Sequence, residues 1–532
     1  MVTVRGRVFE RERGRTLEAR VQVLDSTGHL RAPDGAVLKR GPGEPFFYCE
    51  GEFEVDVPRG QVDVVVERGT EYQPLRVTLD APSSGTINLD LGLERWVRMA
   101  EQGWHAGNTH VHYDETETRP LERLRLDPRV EDLPVLIVSQ LQRRQIPYAS
   151  NAFPIGRHEL SGHGHVVDVG EESRHNREPW EIGLGHIMLI NLQRLVEPLS
   201  RGVLVDDSSP DYPPLVDACE AARGQGGLVL WCHNANGMEA PVAAALGKLD
   251  GLNLFDPYWM DPEYDLWYAL LSCGIRLPAS TGSDWFVCSS NRVYVETPTF
   301  SYERWLEGLR AGRTFVTDGP VLRLRVEGRA PSNEVLGLSG DRTVEVALEW
   351  ESTSPLDRVE IVRDGEVVAT ATPGSDAEPI GQRFFAAGPS ATVSASASVS
   401  ARVDVGVGAF GGAAATAPAT AAATASAGTT RTAGRLVARI DAAAAGWVAA
   451  RAWGRRRNSY GHALWAHTSP VYLRERAEIG RARAAAEGFV GRIATAIEWI
   501  ERGARFEDDR QRARMRELFR EGHGYYRRLA RR

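Results

Sequence analysis

The sequence predicts an α/β protein in which a distorted βα barrel is flanked by two β-sandwich domains and followed by a helical C-terminal tail. Three observations predict this class: short alternating strands near the N-terminus, apolar runs separated by helical stretches in the middle, and helical spacing at the end. With roughly one domain per 150 residues, the 532 residues have room for several domains.

Residues 1–95 alternate apolar and polar side chains over short stretches bounded by turn residues. Phe53-Glu-Val-Asp-Val57 alternates with a period of two, and similar stretches recur on both sides of it. We expect a small antiparallel β-sandwich that resembles the prealbumin-like or carboxypeptidase-regulatory-like modules. The pattern contains no grouping of residues suited to chemistry.

Residues 96–320 carry apolar runs of strand length, such as Val135-Leu-Ile-Val138 and Leu228-Val-Leu-Trp231. Helical stretches lie between the later runs, for example at residues 215–223 and 264–273. Strand, helix and strand at this spacing indicate a parallel sheet, and about 220 residues suit a βα barrel.

Residues 321–473 return to strand patterns, and an Ala/Ser/Thr/Gly-rich segment at about 388–435 interrupts them. That composition buries too little apolar surface to order itself, so we expect one β-sandwich with a disordered insert. Residues 474–532 form the tail. Ile479, Phe489, Ile493 and Ile500 share one helical face, and residues 505–532 predict a second amphipathic helix.

Composition narrows the possible partners. The chain has 63 Lys and Arg against 71 Asp and Glu, and this acidic balance argues against binding nucleic acid through bulk charge. Five cysteines without CxxC spacing predict neither a disulfide framework nor a thiolate zinc site. No signal-like segment begins the chain and no convincing membrane span follows, so we expect a cytoplasmic protein with no membrane partner.

Histidines concentrate in the central region, where nine of the thirteen lie between His105 and His233. Gly107-Asn-Thr-His-Val-His112 contains an HxH pair. On a strand, side chains two residues apart point to the same face, so both imidazoles can reach one metal ion. By itself the pair is as compatible with a structural role as with a metal site.

Further groups of the same chemistry follow other strands. These are Glu171 and Glu172 after the run at residues 165–169, His186, His233 and Asp284. The carboxyl ends of barrel strands form one face, so imidazoles and carboxylates meeting there would suit zinc, manganese or iron. Separate structural roles for each residue are the alternative.

The ordered set of motifs resembles the PHP (polymerase and histidinol phosphatase) superfamily: HxH, Gly-x-Glu, Gly-His, a strand-final His, and Gly-Ser-Asp. Three further stretches, at residues 309–320, 446–452 and 466–470, are similar to those of CehA/McbA-type metallohydrolases. The resemblance covers about residues 96–473. It implies a PHP-like distorted barrel and a hydrolase acting on a small molecule.

The resemblance also implies a ligand set. His110, His112, Glu172 and Asp284 would hold one divalent metal, and Glu172 would bridge to a second held by His186 and His233. Glu171 is the adjacent candidate for the glutamate. The cofactor would be two Zn ions, with Mn or Fe as alternatives. The third-metal motifs of the superfamily are missing: Val138-Ser-Gln-Leu141 replaces Thr-Asp-His, and Phe286 replaces a histidine.

The resemblance therefore implies metal-assisted hydrolysis of a carboxylic or carbamic ester or amide, with Asp284 as the candidate general base. His175 and Arg174 are candidates for substrate contact or proton donation. Trp231, Trp285 and their aromatic neighbours form either a substrate wall or barrel packing. A PHP-type phosphoesterase and a non-catalytic, metal-stabilised binding protein are the alternative functions. The sequence leaves the oligomeric state open.

Overall fold

The computed structural model describes residues 1–159, 164–177, 183–255, 263–284, 288–338, 343–373 and 431–532, with four short strands between residues 386 and 426. The described chain is a sheet-rich α/β structure with a curled, half-barrel sheet at its centre and two helices at its C-terminus. This confirms the predicted α/β class. The PHP type of the barrel and the two sandwiches stay predictions.

The N-terminal region consists of strands β1 (Val2–Glu10), β2 (Ala19–Leu24), β3 (Phe47–Cys49), β4 (Glu52–Val57), β5 (Gly60–Glu67), β6 (Leu75–Ala81) and β7 (Thr86–Leu93). Strands β7, β1 and β4 lie in one sheet and β6, β5, β2 and β3 in another, around a shared hydrophobic core. One pairing differs from the antiparallel expectation, since β1 and β7 are parallel. No hairpin joins these first and last strands, so their relative direction is unconstrained.

The central strands are β8 (Trp104–Val111), β9 (Val135–Gln140), β10 (Gly156–Arg157), β11 (Val166–Asn176), β12 (Gly185–Ile190), β13 (Ser200–Gly202), β14 (Leu228–Trp231), β15 (Gly251–Asn253), β16 (Ala279–Ser280), β17 (Arg292–Glu296) and β18 (Thr314–Thr317). The helices are α1 (Pro120–Val130), α2 (Leu215–Gly224), α3 (Ala240–Ala245), α4 (Asp265–Ser272) and α5 (Tyr302–Arg310). Short 3-10 turns cover Ala100–Gln102, Ala149–Ala152, His233–Ala235 and, further on, Ala442–Ala444.

The central sheet is mixed, whereas the sequence predicted a parallel one. Neighbours β8, β9 and β11 are parallel, as are β14, β15 and β16, but β12 runs antiparallel to both β11 and β14. Only residues 177–184 join β11 to β12. That connection is too short for the crossover that a parallel pair needs.

The sheet curls until residues after β16 meet the end of β8. The backbone N–H groups of Ser283 and Asp284 both donate to the His110 carbonyl, at 2.8 Å each. A side chain at Gly282 would collide with His110, so this approach requires glycine. The curl therefore places Asp284 beside the HxH pair.

The C-terminal strands are β19 (Val321–Val326), β20 (Ser332–Val335), β21 (Thr343–Ser352), β22 (Arg358–Arg363), β23 (Glu366–Ala371), β24 (Ala386–Ala387), β25 (Ala391–Val393), β26 (Asp404–Gly406), β27 (Ala423–Ser426), β28 (Arg431–Asp441), β29 (Trp447–Arg457), β30 (Ala463–Thr468) and β31 (Val471–Tyr472). Strand β30 extends the central sheet by pairing with β18, while β19, β21 and β28 build a separate sheet. Most of the predicted insert at 388–435 lies outside the described residues. Two of its described strands, β26 and β27, pair with β7 and β6.

The tail forms the two predicted helices, α6 (Ile479–Arg502) and α7 (Asp509–Ala530). The expected face of α6 is buried at Phe489, Ile493 and Ile500, whereas Ile479, at the first turn, is 69% exposed. Both helices share one core with α3, α4 and the central sheet. Among the described residues, no helix combines the length and apolarity needed to cross a membrane.

Candidate metal centre

The six residues predicted as metal ligands lie together at one end of the curled sheet. They come from five places in the chain: His110 and His112 at the end of β8, Glu172 in β11, His186 in β12, His233 after β14 and Asp284 after β16. Each is at most 9% exposed, and His186 is the most accessible. The fold thus gathers nitrogen and oxygen ligands in a buried place.

The first group consists of His110, His112, Glu172 and Asp284, which each offer one atom within 4.8 Å of the others. The two imidazole Nε2 atoms lie 3.0 Å apart. Asp284 Oδ1 is 3.3 Å from His110 Nε2 and 3.5 Å from His112 Nε2. Two nitrogens and two carboxylates converging in this way form a suitable set for a divalent transition metal.

The second group consists of Glu172, His186 and His233, again within 4.8 Å of one another. His186 Nδ1 lies 2.9 Å from His233 Nε2 and 3.1 Å from Glu172 Oε1. The other carboxylate oxygen, Glu172 Oε2, is 3.3 Å from His112 Nε2 in the first group. Glu172 therefore contacts both groups, and its Oε1 also lies 3.8 Å from His110 Nε2 in the first group.

Neighbouring residues orient two of the imidazoles so that bare nitrogens face Glu172. His112 Nδ1 donates to the Ser139 carbonyl at 3.0 Å, which leaves Nε2 as an acceptor when the ring is neutral. His186 Nε2 donates to Asn176 Oδ1 at 2.7 Å, which leaves Nδ1 as an acceptor. Without metal, the proton that raises the pKa of His112 to about 9 lies between its Nε2 and the carboxylates. A metal ion would take the place of that proton, and this orientation is the one that metal-ligating histidines adopt.

The charge distribution agrees with this orientation. Burial would raise the pKa of Glu172, but Arg174 and His186 outweigh burial and hold that pKa well below the ordinary carboxyl range. Burial also opposes ionisation of Asp284. Its interactions with His110 and His112 outweigh burial and lower the pKa of Asp284 below the ordinary carboxyl value. Burial lowers the pKa of His186 to about 4. Both carboxylates are thus ionised, and His186 is neutral, at pH 7.

Two ligands sit on unusual backbone. His233 has φ 54° and Asp284 has φ 50°, in the left-handed region that non-glycine residues seldom adopt. Two hydrogen bonds stabilise the turn at His233: Asn236 Nδ2 donates to the His233 carbonyl, and Asn234 Oδ1 accepts from the Phe255 N–H. Strained conformations of this kind persist where the surroundings enforce them, and they cluster at functional sites.

Side chains on β11 alternate between its two faces, and this places the candidates Arg174 and His175 on opposite sides. Arg174 shares the face of Glu172 and donates to Glu172 Oε2 at 3.0 Å. His175 points to the opposite face, where its Nε2 contacts Asp211 Oδ1 at 2.8 Å and its Nδ1 accepts from the Leu184 N–H. The sequence paired His175 with Arg174, but only Arg174 reaches the cluster, because adjacent strand residues point in opposite directions.

Glu171 also points away from the cluster. Its Oε2 accepts from the Val196 N–H at 2.7 Å, and burial raises its pKa to about 8. Of the two adjacent glutamates, Glu172 is the one placed with the histidines. Trp231 is fully buried, and its Nε1 donates to the Asn236 carbonyl. This environment is typical of a residue packed in the core. Tyr258, Trp259, Trp285 and Phe286 lie outside the described residues.

Sequence reasoning missed three residues that position the ligands. Ser139 and Asn176 orient the imidazoles, and Asn108 accepts from the N–H groups of His110 and Ser283 at 3.2 Å each. Asn176 had a readable signal, because it lies four residues after Glu172 and hence on the same strand face. Ser139 acts through its carbonyl, which no side-chain motif reveals.

Comparisons of the chain with protein-family models, with curated proteins and with solved structures find no match. The order of the motifs and the geometry of the cluster are therefore the observations that bear on function.

Proposed function

We propose that this chain is a metal-dependent hydrolase of the PHP superfamily, of CehA/McbA type, with a centre for two divalent cations. The position of Glu172 carries the proposal, since its carboxylate contacts histidines of both groups. A carboxylate in that position would be suited to bind two cations. Zinc suits the nitrogen and oxygen ligands best, with manganese or iron as alternatives.

The charges of the cluster support bound cations. Glu172 and Asp284 are buried and ionised, and Arg174 is the cation whose contact with Glu172 offsets one of them. Buried charge needs compensation. Protonated His112, whose pKa is raised to about 9, offsets the second carboxylate when no metal is bound, and cations would replace that proton. When bound, a pair of such cations supplies a water of lowered pKa and polarises the bond to be cleaved.

The residues around the cations would divide the remaining work. Asp284 lies close to both imidazoles of the HxH pair and, ionised at pH 7, would accept a proton from the attacking water. Arg174 would hold Glu172 in position and present its guanidinium to the negative charge that develops on the substrate. His175 has no part, because it faces Asp211.

The proposed substrate is a small carboxylic or carbamic ester or amide. A phosphoesterase is the second candidate, and Arg174 favours it because a guanidinium can pair with two phosphoryl oxygens at once. The missing third-metal motifs favour the first. Cytoplasmic location and the absence of a nucleic-acid partner stay expectations from composition.

The test is a turnover screen of aryl esters, aryl carbamates and phosphate monoesters with protein reconstituted with zinc, manganese or iron. We expect about two equivalents of metal, and loss of at least one in the His110→Ala, His112→Ala double variant, because two remaining ligands hold a metal weakly. Unchanged metal content in that variant would overturn the site. Full metal content without turnover of any class would favour a metal-stabilised binding protein.

A further inference from the structure

A second feature adjoins the cluster: a cavity of about 800 Å³ between the end of β11, residues 203–211 and the connection from α6 to α7. Arginines dominate the charged side chains that line it. The arginines are Arg143, Arg144, Arg177 and Arg505, and the acidic residues are Asp207 and Asp211. We call it the arginine cavity.

The acidic side chains of the arginine cavity neutralise only part of its positive charge. Asp211 is engaged through both oxygens, by His175 Nε2 and by the backbone N–H of Arg505. Asp207 pairs with Arg144 at 3.2 Å, at a largely exposed position. Among the described residues, the guanidinium groups of Arg143 and Arg505 form no ion pair, so the cavity keeps positive charge available.

A single residue, Asn176, links the arginine cavity to the candidate metal ligands. Asn176 lines it and also accepts the hydrogen bond from His186 Nε2 at 2.7 Å. The guanidinium carbon of Arg177, the next residue, lies 5.9 Å from the centre of the Trp499 ring on α6. Asn176 therefore connects the metal cluster to the arginine cavity.

We propose that the arginine cavity binds an anionic substituent of the substrate, a carboxylate or a phosphate, while the bond to be cleaved lies at the metal cluster. Two guanidinium groups without ion pairs suit a group that presents two oxygens in one plane. This inference rests on the proposed hydrolase function. It also gives the C-terminal helices a role, since Trp499 and Arg505 place substrate-binding residues on the tail.

The experiment compares two esters of equal acyl length: para-nitrophenyl hexanoate, which is neutral, and the para-nitrophenyl monoester of adipic acid, which carries a carboxylate. We expect the metal-loaded protein to prefer the adipate ester, with a kcat/KM ratio on the order of 10 to 10² at low salt. The Arg143→Gln, Arg505→Gln double variant should lose most of that preference through KM. Arg502→Gln, an exposed arginine at the end of α6, is the matched control and should keep it.

The outcomes separate this inference from the proposed function. Turnover of both esters with a preference that the double variant leaves unmoved would overturn the cavity assignment and leave the hydrolase standing. If neither ester is hydrolysed, calorimetric titration with adipate and with butyl phosphate decides. Binding weakened at least about tenfold by the double variant supports the cavity and shows which anion it takes, whereas equal or absent binding overturns it.

Discussion

The two faces of β11 carry the same kinds of residue in opposite circumstances. Glu171 and Glu172 are adjacent and equally buried, at 0% and 1% exposure. Yet the pKa of Glu172 lies well below the ordinary carboxyl range, and that of Glu171 is raised to about 8. Burial favours the neutral form of both, so the difference comes from what each carboxylate faces.

On the cluster face, Glu172 meets Arg174 and the imidazoles of His112 and His186. On the other face, Glu171 accepts one backbone hydrogen bond, and its Oε1 is buried without a hydrogen-bond partner among the described residues. One strand thus holds a charged carboxylate toward the site and a neutral one toward the core. Burial alone does not identify a functional carboxylate; its neighbours do.

The largest expected effect is that of Glu172→Gln. The amide keeps the shape but removes the negative charge shared by the two groups, so two dications would repel each other with less compensation. We expect hydrolytic activity to fall by at least ~10³-fold, the scale of losing a principal transition-state stabiliser. Steady-state kinetics and elemental analysis on the same preparation check this. Activity within a factor of ten of the parent would contradict the bridging role.

The pH dependence of metal affinity probes the cluster face further. Burial opposes protonation of His112, but Asp284 and Glu172 outweigh it and raise the pKa of His112 to about 9 in the metal-free protein. A metal must displace that proton, so affinity rises with pH while His112 is protonated, up to about pH 9. We expect zinc affinity to increase on the order of tenfold per pH unit above pH 7.

Competition with a chromophoric chelator measures that slope. The affinities of the chelator itself must be known at each pH. A flat profile between pH 7 and pH 9 would mean that His112 binds no proton that the metal must displace.

On the opposite face, His175→Ala should affect stability more than chemistry. His175 Nε2 contacts Asp211, which in turn accepts from the Arg505 N–H between α6 and α7. Losing two buried hydrogen bonds and leaving their partners unpaired should cost about 2–4 kcal/mol. Thermal unfolding should show this, with kcat reduced by less than ~10-fold when the protein is folded. An inactive variant with unchanged stability would contradict this and indicate a catalytic role for His175.

Most residues of the candidate site could be predicted from the sequence, whereas fewer of the residues around it could. The HxH spacing and the strand-end positions suffice to propose His110, His112, His233 and Asp284, because strand alternation and strand ends are local properties. The choice between Glu171 and Glu172 needs the exact register of β11, which adjacent residues in a sequence do not settle.

Long-range contacts account for what the sequence did not predict. Strand β12 pairs antiparallel with both β11 and β14, and the carbonyl of Ser139 reaches His112 from a neighbouring strand. The tail was readable as two helices from its periodicity. Its position against the arginine cavity was not, because helical spacing shows which face is buried and not against what.

The smallest expected effect is that of Glu171→Gln, the matched control for Glu172→Gln because both changes replace a buried carboxyl group of β11 by an amide of the same shape. The Glu171 pKa is raised to about 8 in the folded protein, so the folded state holds this proton more tightly than the unfolded state. The stability it confers is therefore complete below the ordinary carboxyl pKa of about 4.5 and is lost as pH rises toward about 8. Glutamine stays neutral throughout, so the variant should match the parent at pH 4.5 and be more stable by on the order of 4 kcal/mol at pH 8. Activity should change by less than ~10-fold, because the side chain points away from the cluster. Urea unfolding at both pH values, with kinetics alongside, tests this; an inactive Glu171→Gln beside an active Glu172→Gln would reverse the two faces of β11.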